Sequence, residues 1–279
     1  MLLICCITIK KLTIETLIIL VINGRIMKAV ILAGGKGTRF GEGTRIIPKP
    51  MISIKGLPML VHIMKIFSNQ GINNFIIALG YKSEIIENYF TKNKYTKKIL
   101  LKKKGYQKIE LKIKKNIYWN IELIYTGKNT LTGGRVRRLK KYLKDEKDFF
   151  VTYGDGLGNI NLKKLIKFHK QHNKIGTVTA VRPPARFGVL NIKKEIVTYF
   201  KEKPQVASGW INGGFFIFKK KFFKFLKNDK TILESKPLEK LSKLKQLSAF
   251  KHFKFWHCMD TVRDKESLEE IFSRGLPYE

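Results

Sequence analysis

Residues able to handle phosphate gather first in the segment 27–50, MKAVILAGGKGTRFGEGTRIIPKP. The apolar run Ala29–Leu32 opens directly into Gly34-Gly35-Lys36-Gly37-Thr38-Arg39. Glycines leave backbone N–H groups bare, so polyphosphate oxygens can approach without meeting a Cβ. Arg39 adds a forked, permanently charged donor, and Lys49 follows ten residues later as a mobile point charge between two prolines. Neither common phosphate motif fits. A dinucleotide fingerprint counted from Gly35 would need glycine where Phe40 stands, and no G-x-x-x-x-G-K-[ST] occurs there.

Carboxylates come next. Asp155 lies between Gly154 and Gly156 at the end of the apolar run 149–153, the edge at which open α/β sheets bind ligands. A carboxylate there suits Mg²⁺, which takes one or two carboxylates, keeps several waters and shares substrate phosphates. Asp260, in Cys258-Met259-Asp260-Thr261, is the natural second carboxylate if the fold returns it to that edge. Arg135, Lys203 and Asn212 are further candidates, and the glycine pairs beside Arg135 and Asn212 suggest backbone close to a ligand. The five histidines lie outside the glycine-rich turns and read as structural or surface groups, while Trp210 and Trp256 read as core.

The elements that must position these groups alternate between strand and helix. Strands are expected at Ala29–Leu32, 51–54, 75–79, 121–125, 149–153 and 177–181. Helices are expected at 58–70, from Ser83 onward, 135–144, 162–171 and 264–274. That order predicts an α/β protein with a doubly wound, mostly parallel sheet. Beyond Phe187 shorter strands, 188–192 and 210–218, suggest a smaller mixed part; the Lys-rich stretch 94–115 reads as an excursion from the core.

Composition sets the remaining bounds. A chain of 279 residues can bury a full core. Its net charge of +35 is spread along the length rather than gathered in one arm, so neither nucleic acid nor membrane is expected as a partner. Lys, Ile, Asn, Phe and Tyr are raised together, as in AT-rich coding DNA. Cys5, Cys6 and Cys258 give no zinc spacing and no disulfide framework, which fits a reducing cytoplasm. The apolar core of the first residues is too short to span a bilayer. Residues 1–26 therefore read as an extension, and 27–279 as one domain.

The string LAGGKGTR followed by PKP resembles the signature of sugar-nucleotide pyrophosphorylases. LTGGR, INGGFF and MDTVRD resemble, more narrowly, their cytidylyl branch, which joins CTP and glucose 1-phosphate into CDP-glucose and pyrophosphate for O-antigen sugars. The resemblance implies a Rossmann-like nucleotidyltransferase fold and a homo-oligomer. It implies that Leu32, Ala33, Gly34, Gly35, Lys36, Gly37, Thr38 and Arg39 cradle CTP, with Arg39 and Lys49 catalytic. Thr130, Arg135 and Gly154 would contact the nucleotide, Lys203 and Asn212 the sugar phosphate, and Asp155 and Asp260 would hold Mg²⁺. Ile47 and Tyr125 depart from the family pattern, which commonly has lysine and an acid there. UTP- or dTTP-using relatives of the same fold, and a non-catalytic ligand-sensing relative, remain the alternatives.

Overall fold

The computed structural model describes residues 21–22, 25–40, 46–92, 97–114, 116–182, 189–193, 195–201 and 209–278. Lys203 lies outside them, and of Arg39 only the backbone is described. Ten strands make the main sheet: β1 (Ala29–Leu32), β2 (Asn74–Leu79), β3 (Lys97–Lys103), β4 (Tyr106–Lys114), β5 (Ile117–Tyr125), β6 (Asp148–Tyr153), β7 (Gly176–Val181), β8 (Ile211–Asn212), β9 (Phe216–Lys219) and β10 (Leu247–His252). Their spatial order is β8-β7-β9-β6-β1-β2-β5-β4-β3, with β10 on the other side of β7. The central run β6-β1-β2-β5 is parallel throughout.

Both faces of that run are apolar. Ile31, Phe75, Ile77 and Phe150 point into one core, while Val30, Leu32, Ile76 and Val151 point into a second on the opposite face. Period-two alternation between two buried faces needs helices on both sides. The helices are α1 (Met59–Ser68), α2 (Ser83–Lys92), α3 (Thr132–Arg138), α4 (Leu162–His172), α5 (Lys236–Lys243) and α6 (Val262–Ser273). Residues of α1, α2, α4 and α6 enter the first core, and residues of α3 and α5 the second. The expected α/β class with its doubly wound sheet holds.

Four local expectations need correction. The stretch 94–115 supplies β3 and β4, whose hairpin extends the sheet and buries Ile109 and Leu111. Lysines on the solvent side mask that alternation. The run 210–218 is two strands, β8 and β9, because Gly214 takes φ +72° and turns the chain between them. Helix 135–144 begins earlier, at Thr132, and finishes as the 3-10 turn Lys140–Leu143. The strand at 51–54 is shortened to Ser53–Ile54, because Lys49–Met51 forms a 3-10 turn.

Candidate active site

The carboxyl ends of β1 and β6 open onto a cleft of about 600 Å³. Leu32, Gly34, Gly35, Gly37 and Thr38 line one side, and Asn212 and Gly213 line the cleft where β8 ends. Lys49, Thr130, Arg135, Gly154, Asp155 and Asp260, also expected from the sequence, line it too. Ala33 is buried, and Lys36 is exposed outside the lining.

Lys49 is set by Pro48 and by the 3-10 turn Lys49–Met51, so its stem is buried although its head is charged. Its ammonium donates to Asp155 Oδ2 at 2.8 Å and to Asp260 Oδ1 at 2.5 Å. Burial alone would lower the Lys49 pKa, yet the two carboxylates outweigh it and hold it above its ordinary value. The fold brings Asp260 here in two steps. Strand Gly156–Gly158 pairs antiparallel with Trp256–Cys258, and the Met259 N–H then donates to the Asp155 carbonyl at 2.9 Å. A capping box follows. The Asp264 carboxylate accepts from the N–H groups of Asp260 and Thr261, and the Thr261 hydroxyl accepts from Asp264 N–H as α6 begins. Two aspartates far apart in sequence thus converge on one cation.

Arg135, which lines the cleft, also has a bracing role that the sequence did not suggest. It is only 3% exposed, and its guanidinium donates to Gly34 O at 2.7 Å, Leu79 O at 3.0 Å, Thr126 Oγ1 at 2.7 Å and Gly127 O at 2.8 Å. Burial pulls its pKa down to about 10, so it stays charged at neutral pH. The guanidinium braces the glycine loop against the turns after β2 and β5. A Cβ on Gly34 or on Gly80 would each lie 2.3 Å from Arg135 Nη1. Gly34 is therefore small to admit an arginine, whereas a Cβ on Gly35 would meet nothing within 4 Å.

The pair Gly133-Gly134 is structural, whereas Gly213 both packs on its neighbours and lines the cleft. A Cβ on Gly134 would come 2.4 Å from Asp229 O, and one on Gly133 2.8 Å from the Thr231 side chain. Those two let α3 press against the loop 229–231 rather than against a ligand. Gly213 packs on Val181 and donates to Thr179 O at 2.9 Å.

Several lining residues carry no sequence signal. Tyr153, at the end of β6, donates its hydroxyl to Glu234 at 2.6 Å and accepts from Asn212 Nδ2 at 3.1 Å. Trp256 lines the cleft and donates to Gly213 O at 2.8 Å, so it is not a plain core residue. Cys258 also lines it; burial, then the Asp260 charge, push its thiol up to about 11, so it remains protonated. The histidines are structural where described: His62 shares a 2.5 Å hydrogen bond with Tyr278 and bonds Ile54 O at 2.8 Å. No helix among the described residues is long and apolar enough to cross a membrane.

The sequence pattern of the family described as "Nucleotidyl transferase" matches residues 28–256. A glucose-1-phosphate cytidylyltransferase of Salmonella typhimurium is 44% identical over 249 residues, covering 89% of this chain and 97% of the relative. A probable glucose-1-phosphate cytidylyltransferase of Bacillus subtilis is 40% identical over 250 residues, with the same coverage. The crystal structure of HddC from Yersinia pseudotuberculosis superposes with a TM-score of 0.65 at 27% identity, over 88% of this chain and 100% of that one. By sequence across most of its length, and by the cleft that this sequence builds, the chain belongs to the nucleotidyl transferase family.

Proposed function

We propose that the protein transfers CMP from CTP to glucose 1-phosphate, giving CDP-glucose and pyrophosphate. The observation that carries this reading is Lys49 bonded to both Asp155 and Asp260 beside a glycine loop, in a chain 44% identical to a glucose-1-phosphate cytidylyltransferase. Both substrates are anions, so the cleft must supply positive charge. A phosphate oxygen of glucose 1-phosphate attacks the α-phosphorus of CTP. The bond from that phosphorus to the β-phosphate oxygen breaks, and pyrophosphate leaves with the electron pair. The attacking oxygen is already ionised at neutral pH, so neither a protein nucleophile nor a general base is required. Positioning and charge stabilisation carry the step.

In this reading the backbone N–H groups from Gly34 to Thr38 receive the CTP phosphates, with Arg39 and Lys49 neutralising charge as the phosphorus is attacked. Thr130 and Gly154 contact the nucleotide, and Lys203 and Asn212 the sugar phosphate. Arg135 holds the loop in place from behind. Asp155 and Asp260 fit a Mg²⁺ ion, since both already converge on a cation, the Lys49 ammonium. Bound there, the metal would neutralise phosphate charge. A cytoplasmic setting and a homo-oligomer belong to the same reading.

The test is pyrophosphate release measured over four nucleoside triphosphates and several sugar 1-phosphates. CTP with glucose 1-phosphate should give the highest kcat/KM. Preference for UTP or dTTP would reassign the base, and no release with any pair would remove the catalytic reading.

A further inference from the structure

Asp155 and Asp260 converge on a cation, but a carboxylate with no cation beside it is out of place in a cleft that receives two anions, unless it faces a part of a substrate that is neutral and rich in hydrogen-bond donors. Glu234 lines this cleft. It is fixed there from two sides: Oε1 accepts from the Tyr153 hydroxyl at 2.6 Å, and Oε2 accepts from Thr132 Oγ1 at 2.7 Å. Thr132 is held in turn by the Leu233 N–H at 2.9 Å. In the first of these bonds the Tyr153 hydroxyl is the donor and Glu234 the acceptor. Each carboxylate oxygen has a second lone pair left for a ligand, and Glu234 is exposed towards the cleft.

Sheet order says which substrate this is. The glycine loop follows β1, Asp155 follows β6 next to it, and Asn212 lies at β8, beyond β6 from the loop. With the leaving pyrophosphate on the loop and the reacting phosphorus over Asp155, in-line attack brings the acceptor from the β8 side. Tyr153 leans that way: it bonds Asn212, and a Cβ on Gly214 would lie 3.1 Å from its ring. Glu234 is tied to that same hydroxyl.

We propose that Glu234 is the specificity residue for the hexosyl group, accepting hydrogen bonds from sugar hydroxyls, with Tyr153 and Thr132 as its positioning residues. This rests on the function proposed above. A site that hydrogen-bonds a hydroxyl rejects the analogue lacking it far more strongly than an apolar pocket could, because its own polar group is left unpaired.

The experiment compares wild type, Glu234→Gln and Thr132→Val on glucose 1-phosphate and its 2-, 3-, 4- and 6-deoxy analogues, with CTP varied separately. Wild type should discriminate against at least one deoxy analogue by about 100-fold or more in kcat/KM. Glu234→Gln should raise KM for glucose 1-phosphate by roughly tenfold, leave KM for CTP within about twofold, and lose most of that discrimination. Thr132→Val frees one carboxylate oxygen of Glu234 and should give the same pattern more weakly. A rise in the CTP KM instead would move Glu234 to the nucleotide and overturn the proposal, as would unchanged discrimination in both variants. Wild type inactive on every pair would remove the functional reading itself; an active wild type with unaltered variants would remove only Glu234.

Discussion

Replacing Lys49 by Met tests the central arrangement because it keeps the stem and deletes the charge. The two contacts of the ammonium, 2.8 and 2.5 Å, leave the facing Asp155 and Asp260 oxygens at most about 5 Å apart. At an effective dielectric of ~20, two negative charges at about 5 Å repel by about 3 kcal/mol. Their side chains are 32% and 20% exposed, so water and salt cut this to roughly 1.5 kcal/mol. For a domain of this size that corresponds to a fall in Tm of about 3–6 °C. The same vacancy should welcome a divalent ion. Mg²⁺ binding at ~100 times its Kd stabilises by about 2.7 kcal/mol, so Mg²⁺ should raise the Tm of Lys49→Met clearly more than that of wild type, where the ammonium competes. Turnover should fall about a hundredfold, or roughly 3 kcal/mol, mainly in kcat. The assay is differential scanning calorimetry with and without Mg²⁺, beside steady-state kinetics. A variant that melts like wild type and gains nothing from Mg²⁺ would refute the view that Lys49 holds two charged carboxylates together.

The two loop glycines should separate cleanly. Gly34→Ala drives a methyl into Arg135 and should cost about 1–3 kcal/mol in urea melts, whereas Gly35→Ala should melt normally and raise only the KM for nucleotide; equal melts would contradict the bracing role of Arg135. Burial, followed by the charge of His169, lowers the His172 pKa from 6.5 to about 4. Between those values the unfolded chain binds the extra proton, so stability should fall as pH drops from 6.5 to 4, and His172→Gln should flatten part of that slope in melts at stepped pH. A chain starting at Met27 should keep the turnover and Tm of the full chain; a large loss of either would show that residues 1–26 pack on the domain.

The parallel centre of the sheet was legible because its strands are short, apolar and followed by glycine. Asp155 was legible for the same reason, and Asp260 only as its companion. What the sequence concealed were packing choices. Gly133 and Gly134 look like a ligand turn, yet the atoms they make room for belong to residues 229–231, far along the chain. Arg135 reads as a nucleotide contact, and its second task, donating to the carbonyls of Gly34, Leu79 and Gly127, has no mark in the sequence. Glu234 has no glycine or motif beside it in sequence; only its contacts with Tyr153 and Thr132 give it a place. A glycine shows that something comes close, but not what.

The pairing of Lys49 with Asp260 spans 211 residues, which has a consequence for a chain made from one end. At about 5–20 residues per second, Lys49 waits roughly 10–40 s on the ribosome for that partner. Asp155, 106 residues away, arrives about halfway through that wait and can hold the ammonium alone. The turn carrying Asp260 comes last of the three and closes the site. Under the proposed function, a nascent chain that already carries the glycine loop lacks its second aspartate until that turn is made.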